Sequence, residues 1–378
     1  MIDSAKRPLK IAVIGGDGIG PEVVDAAIPA IEGAAAGAGQ TIAWERLPYG
    51  ADHYLKTGET LPDHAFAHLQ NNMDAVLVGA LGDPRVPDNE HARDILLGLR
   101  FRLDLYVNFR PCVLLHPDLC PLKGEFVAAP SDRRTGGSAN RGPVGTADRR
   151  TVDFVIFREN TEGLYLARGS SKHVGTAQEE QIAEDVHTAP KVERILRAAF
   201  EWARAHGRRR VTMADKSNAI PAHRLWQRLF AEVGERFPDV EREHYYIDAL
   251  CMQLVKQPNH FEVIVTNNMF GDILSDLGSQ LVGGLGIAPS ANLHPGRVGL
   301  FEPVHGSAPK YAGKGTANPM ATILTGALML EQLGLPEAGA RLTEAVRTTL
   351  AHGIRTRDLG GTATTAEVAI AVVDAVQG

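Results

Sequence analysis

One short stretch, Asn268-Met-Phe-Gly-Asp-Ile-Leu-Ser-Asp276, sets two carboxylates at helical i,i+4 spacing, Asp272 and Asp276. Like charges so placed repel unless a cation lies close by. The alternative is a solvated helix start, where the dipole favours acids. A third carboxylate, Asp248, follows the apolar Tyr245-Tyr246-Ile247 and opens the helix-like DALCMQLV. It is equally a candidate N-cap. Three carboxylates without a histidine–cysteine ligand pattern suit a hard divalent ion, Mg²⁺ or Mn²⁺.

Groups that could move protons and grip anions lie elsewhere along the chain. Lys216 stands beside Asp215 after the strand-like RRVTMA, at the strand end where α/β enzymes place chemistry. A surface lysine is the competing reading. The segment FRENTEGLY joins Arg158, a bidentate partner for carboxylates, to Tyr165, a candidate general acid or else a packing tyrosine. LRFRLDLYVNFRP carries Arg100, Arg102 and Arg110; some are solvated, but three guanidiniums in one segment of an acidic protein suggest a polyanionic substrate.

The elements that must position these groups are set by patterning. Strands are expected at Lys10–Ile14, Ala75–Gly79, Phe154–Phe157, Arg210–Ala214 and Phe261–Thr266. Helices are expected at Glu22–Ala35, Ala183–Gly207, Ala249–Lys256, Asp272–Val282, Pro319–Leu333 and Thr364–Val376. Alternating strands and helices predict an α/β fold with parallel layers. Residues 129–150, rich in Gly, Ser, Arg and Pro, read as an exposed arm.

The 378 residues exceed one small core and suggest two domains or one large α/β unit. The net charge of -6 argues against a nucleic-acid partner. Cys112, Cys120 and Cys251 form neither a disulfide framework nor a zinc set, and predict a reducing, cytoplasmic setting. The polar start is unlike a signal peptide, and no apolar run is long enough to span a membrane. The turn GGDGIG mimics a dinucleotide fingerprint. Its glycines fall at Gly16, Gly18 and Gly20 and Pro21 comes next, so an ordinary Rossmann site is not expected.

Read together, GDGIGPEV, LRFRLDLYVNFRP, FRENTEGLY, DKSNAI, YYIDALCMQLV, TNNMFGDILSD and EPVHGSAPKYAGKGTANP resemble the isocitrate/isopropylmalate dehydrogenase family, in that family's order and over nearly the whole chain. The resemblance implies a non-Rossmann, two-domain α/β fold with the active site in the interdomain cleft. One domain would comprise residues 1–103 and 284–378 and bind the cofactor; the other, 104–283, would dimerise and hold substrate and metal. It implies a homodimer with shared active sites, in which Lys216 and Asp248 are lent to the partner. Arg100, Arg110 and Arg158 would hold the carboxylates of a malate-type 2-hydroxy diacid, and Asp248, Asp272 and Asp276 would hold Mg²⁺ or Mn²⁺. Lys216 would deprotonate the hydroxyl as hydride leaves for nicotinamide. The ion would polarise the new ketone for loss of CO₂, and Tyr165 would protonate the resulting enol.

The same resemblance puts His305, Gly306, Ser307, Ala308, Pro309 and Asn318 around the adenosine half of NAD or NADP. Lys310 and Tyr311 occupy the place of an acid in NAD-using relatives, and with Arg357 they favour NADP's 2′-phosphate. Leu96 and Leu97 would pack on an alkyl group, and Asp94 would repel an isocitrate carboxylate. That favours 3-isopropylmalate or a related 3-substituted malate. RENTEGLY and Arg93 depart from the isopropylmalate pattern, which keeps isocitrate, homoisocitrate, tartrate, D-malate or a secondary-metabolism analogue open. A non-catalytic regulatory subunit should have lost a metal acid, Lys216 or Tyr165; all are present.

Overall fold

A computed structural model describes residues 7–130 and 150–378. Most of the segment expected to form an exposed arm, residues 131–149, lies outside the described residues.

The chain begins with strand β1 (Leu9–Gly16), helix α1 (Gly20–Ala36), β2 (Ile42–Leu47), α2 (Ala51–Thr57), α3 (Asp63–Asn72), β3 (Ala75–Ala80) and α4 (Glu90–Arg102). It continues through β4 (Val107–Val113), β5 (Asp153–Glu159), a hairpin of β6 (Gly169–Lys172) and β7 (Glu180–Ala183), α5 (Ala189–Ala205), β8 (Arg210–Asp215) and α6 (Arg224–Gly234). Then come β9 (Glu241–Tyr246), α7 (Ile247–Lys256), β10 (Val263–Thr266) and α8 (Asn268–Leu281). The chain closes with β11 (Pro289–Leu293), β12 (Gly299–Pro303), α9 (Met320–Gln332), α10 (Pro336–Ala351) and α11 (Thr365–Gln377).

Ten strands form one sheet in the order β2-β1-β3-β12-β11-β4-β5-β10-β8-β9. Two parallel blocks, β2-β1-β3-β12 and β5-β10-β8-β9, flank a seam where β12-β11, β11-β4 and β4-β5 pair antiparallel. Both faces of the inner parallel strands are covered, as their continuous apolar runs require, whereas the edge strands β2 and β9 are partly exposed. In β1, Ile11 and Val13 join one core while Ala12 and Ile14 join another, because successive side chains leave opposite faces. Helix α9 is buried from Met320 through Leu330, and this explains why it is apolar on all sides.

Two helix starts differ most from the sequence expectation. Ala183 closes β7, and α5 begins only at Ala189, with Pro190 in its first turn where a missing N–H costs nothing. Helix α8 starts at Asn268, capped by Asn267, whose side chain accepts the Phe270 N–H at 2.9 Å. Asp272 therefore lies inside α8 and is no helix-start acid. Asp248 is likewise not an N-cap: Tyr246 holds that position and Asp248 sits in the first turn of α7.

Candidate active site

The antiparallel seam carries the polar residues, and the pleat explains how. Asn108 faces Asn292 on one side and Arg158 on the other, and Ser290 faces Glu302. Arg110, two residues beyond Asn108, shares its face. The intervening residues Phe109 and Phe157 are also paired across strands, and their rings meet edge-to-face at 5.3 Å on the opposite side. One face of the seam is thus a charged floor and the other is core.

On that floor the three expected arginines come together. Arg100, at the end of α4, donates to Glu302 Oε1 at 2.7 Å. Asn292 donates to the same oxygen at 2.8 Å, and its own amide oxygen accepts from Asn108 and Asn160 at 2.8 and 2.9 Å. Burial alone would raise the Glu302 carboxyl, but Arg100 and Asn292 hold it below the usual range. Arg158 donates to Asn268 Oδ1 at 2.9 Å and to Asp272 Oδ1. Burial, with Arg110 alongside, pulls the Arg158 guanidinium down to about 10. Arg110 donates to Asn108 Oδ1 at 2.8 Å and Ser275 Oγ at 3.3 Å. Among the described residues it has no carboxylate partner, and its burial lowers its affinity for the proton. Arg102 leaves the group: it pairs with exposed Asp63 at 2.7 Å and covers the Phe66 ring.

Asp272 is the node between arginine and phenol. Its Oδ2 accepts the Tyr165 hydroxyl at 2.8 Å. Burial would raise this carboxyl, yet Arg158 and the tyrosine bond leave it below the ordinary value. Burial raises the Tyr165 phenol and Asp272 adds to the shift, so the hydroxyl keeps its proton. Asp276, one turn on, is raised by burial and by the charge of Asp272. These two oxygen donors, beside one another and short of positive charge at Asp276, fit a hard divalent cation. Asp248 does not join them within one chain. It pairs with Lys216 at 2.6 Å, and among the described residues neither contacts Asp272 or Asp276.

The loop expected to hold the cofactor packs on the glycine turn. Ile19 N–H donates to the Ser307 carbonyl at 2.8 Å, and a Cβ on Gly18 would stand 2.0 Å from that oxygen. The turn is pinned by buried Asp17, which accepts Ala51 N–H at 2.6 Å, Gly82 N–H at 2.8 Å and His91 Nε2 at 2.7 Å. Beyond Ser307, Ala308 has φ of +38°, and Pro309–Tyr311 form a short turn of helix. Burial lowers His305, whose Nδ1 lies 3.1 Å from the Gly306 carbonyl. Gly306, Pro309, Lys310 and Tyr311 are exposed, and Lys310 Nζ stands 4.8 Å above the Tyr311 ring. Just before α9, the Asn318 side-chain oxygen accepts the Met320 N–H at 3.0 Å, and its amide donates to Asp358 at 3.0 Å. Arg357 is exposed in the turn beside Asp358.

Leu96 and Leu97 are both half-buried on α4. Leu96 packs against the apolar cluster of β1, β3 and α4, whereas Leu97 is not part of it. Arg93 and Asp94 are exposed and lie 3.7 Å apart. Sequence reading missed Asn108 and Ser275, which accept from Arg110, Asn292, which links Asn108 to Glu302, and Asn160, which donates to Asn292. Their only signal was position: Asn108 interrupts the arginine segment and Ser275 the carboxylate pair.

The Isocitrate/isopropylmalate dehydrogenase family model matches residues 10–132 and 139–374. The chain belongs to that family. Relatives include a 3-isopropylmalate dehydrogenase of Beutenbergia cavernae, 44% identical over 90% of this chain and 92% of its own length. Another, from Streptomyces avermitilis, is 40% identical over 96% and 99%. Among solved structures, an isocitrate dehydrogenase from Methylococcus capsulatus matches with TM-score 0.81 and 37% identity over 98% of this chain and all of its own. A beta-decarboxylating dehydrogenase from Thermococcus kodakarensis matches with TM-score 0.75 and 34% identity, over 98% of this chain and 96% of that one. Membership makes this protein a decarboxylating dehydrogenase, an oxidoreductase acting on a small molecule. The family uses NAD(P) and a divalent metal. No helix among the described residues is long and apolar enough to cross a membrane.

Proposed function

We propose that this chain oxidises and decarboxylates 3-isopropylmalate or a closely related 3-substituted malate in a site shared between two copies. The observation that carries the substrate class is Arg110. A buried guanidinium without a carboxylate costs stability unless an anion completes it. A substrate carboxylate fits that need, with Arg100 and Arg158 beside it, and arginine's charge survives burial.

Asp272 and Asp276, with Asp248 of the second copy, are the proposed holders of Mg²⁺ or Mn²⁺. When bound, the ion would stabilise negative charge on the reacting oxygen, while the nicotinamide accepts the hydride. Lys216 Nζ, also from the second copy, takes the hydroxyl proton. Tyr165 Oη gives a proton to the carbon from which CO₂ departs; its raised phenol is in the protonated form the step needs at neutral pH. Dimer formation is supported by Met252 and Val255 on α7 and Ile273 on α8, apolar side chains 65%, 47% and 53% exposed. Residues 1–103 and 284–378 are proposed to form the cofactor domain and 104–283 the other, with the site between them at the seam. Lys310 and Tyr311 are the proposed contacts to a 2′-phosphate, favouring NADP. The three free cysteines agree with a reducing cytoplasm.

The test is NAD(P)H formation with Mn²⁺ on 3-isopropylmalate, D-malate, tartrate, isocitrate and homoisocitrate, with NAD⁺ and NADP⁺ side by side. Turnover strongest on isopropylmalate supports Leu96 and Leu97 as alkyl contacts. Preference for isocitrate overturns the reading of Asp94. Metal binding without turnover of any diacid would favour a regulatory subunit. Sedimentation showing only monomer would end the shared-site proposal.

A further inference from the structure

A second cluster reaches the same chemistry from behind. His223 is fully buried on the short turn Pro221–His223 that leads into α6. Its Nδ1 accepts the backbone N–H of Lys216 at 3.1 Å. Its Nε2 lies 2.9 Å from Asp185 Oδ2, and His187 Nε2 lies 3.1 Å from the other oxygen, Oδ1. Burial would raise the Asp185 carboxyl, but the two imidazoles hold it well below the usual carboxylate range.

The stretch after Asp185 is also knitted to the segment leading to Tyr165. Gly163 N–H donates to the Val186 carbonyl at 3.0 Å. Thr188 donates to Glu162 from its N–H and its hydroxyl, both at 2.8 Å. Gly163 has φ of +85°, and a Cβ there would stand 3.5 Å from Asp185 Oδ1.

Two histidines and a carboxylate with ligand atoms within 4.8 Å of one another could also hold zinc. The tautomer argues otherwise. A backbone N–H can only donate, so His223 Nδ1 must be bare, and the neutral ring then carries its proton on Nε2, toward Asp185. A metal at Nε2 would require that proton to leave, or the Lys216 bond to break.

We infer that His223 and Asp185 are positioning residues for Lys216: the carboxylate sets the ring's tautomer, and the ring holds the lysine backbone where β8 ends. The inference rests on the proton-accepting role proposed for Lys216. Lysine's long stem makes its ammonium only as well placed as its backbone, and small misplacements are costly in catalysis.

Two substitutions separate the ring's two bonds. In His223→Asn the amide oxygen falls near the Nδ1 position and can still accept the Lys216 N–H. In His223→Gln the longer amide reaches the Nε2 position and keeps Asp185 but abandons Lys216. We expect kcat to fall about 10- to 100-fold in His223→Gln with KM little changed, and His223→Asn to retain most of the turnover. Hydrogen exchange at the Lys216 amide should quicken in His223→Gln and stay slow in His223→Asn. Equal losses of kcat in both, tracking equal losses of Tm, would make His223 a core residue and overturn the inference. So would a stoichiometric zinc ion held by the native protein and lost in both variants. If Lys216→Ala keeps full turnover, the role of Lys216 fails instead, and the exchange rates still report whether His223 holds that backbone.

Discussion

The two groups of charges in this chain live in opposite surroundings. Arg100, Arg110 and Arg158 are buried on the seam, while Lys216 and Asp248 have side chains 25% and 63% exposed. Removing an ion from water costs several kcal/mol, so the buried group must find partners within the chain. It does so through Glu302, Asp272, Asn108, Asn268 and Ser275, and only Arg110 lacks an anion among the described residues. The exposed pair has no such obligation. An ion pair so open to solvent contributes little to stability, so the fold does not depend on it. The buried group is prepared by one chain; the exposed pair is proposed to complete its work on another.

Substitutions can break that contrast. The largest effects are expected for Lys216→Ala and Tyr165→Phe, each lowering kcat by about 10²–10⁴-fold. Because Lys216 is near the surface, its variant should melt at almost the native temperature in calorimetry. Near-normal turnover in both would remove the proposed proton-transfer roles. Arg110→Met keeps an apolar stem but deletes the charge. We expect kcat/KM to fall about 10²–10³-fold while Tm is held or rises, since a buried charge without a carboxylate is replaced by packing. A large loss of Tm would mean that Arg110 supports the fold and does not await an anion.

Asp276→Asn should weaken Mn²⁺ binding in a titration by at least about tenfold. In chelator its Tm should not fall. The Asp276 carboxyl is raised by burial and by Asp272, so its ionised form opposes folding at neutral pH, and the amide removes that cost. The smallest effect is expected at the surface: Lys310→Glu should shift kcat/KM from NADP⁺ toward NAD⁺ by about tenfold. No change in the ratio would show that Lys310 does not meet the 2′-phosphate.

Much of the site was legible where the signal is local. Asp272 and Asp276 are set by helical spacing, and Lys216 by the end of an apolar strand. The spacing did not reveal that α8 begins before Asp272, because Asn267 caps it with a side-chain bond that competes with no other pattern. Spacing alone could not separate Arg102 from Arg110, although the family resemblance set Arg102 aside. Both are arginines in one segment, but the chain passes from α4 into β4 between them, and one meets Asp63 while the other meets Asn108. The Asn108–Asn160–Asn292–Glu302 network and the Asp185–His187–His223 cluster were invisible, because each joins segments far apart along the chain.

By itself the sequence determined the features that neighbours along the backbone impose: short apolar strands, the turn that only glycines permit at Gly16 and Gly18, and the pairing of carboxylates on one helix face. Tertiary structure alone decided which charges lose water and which meet. Desolvation and ion pairing depend on groups brought in by sheet pairing, and the β12-β11-β4-β5 seam draws Glu302, Asn292, Arg110 and Arg158 from distant parts of the chain onto one face.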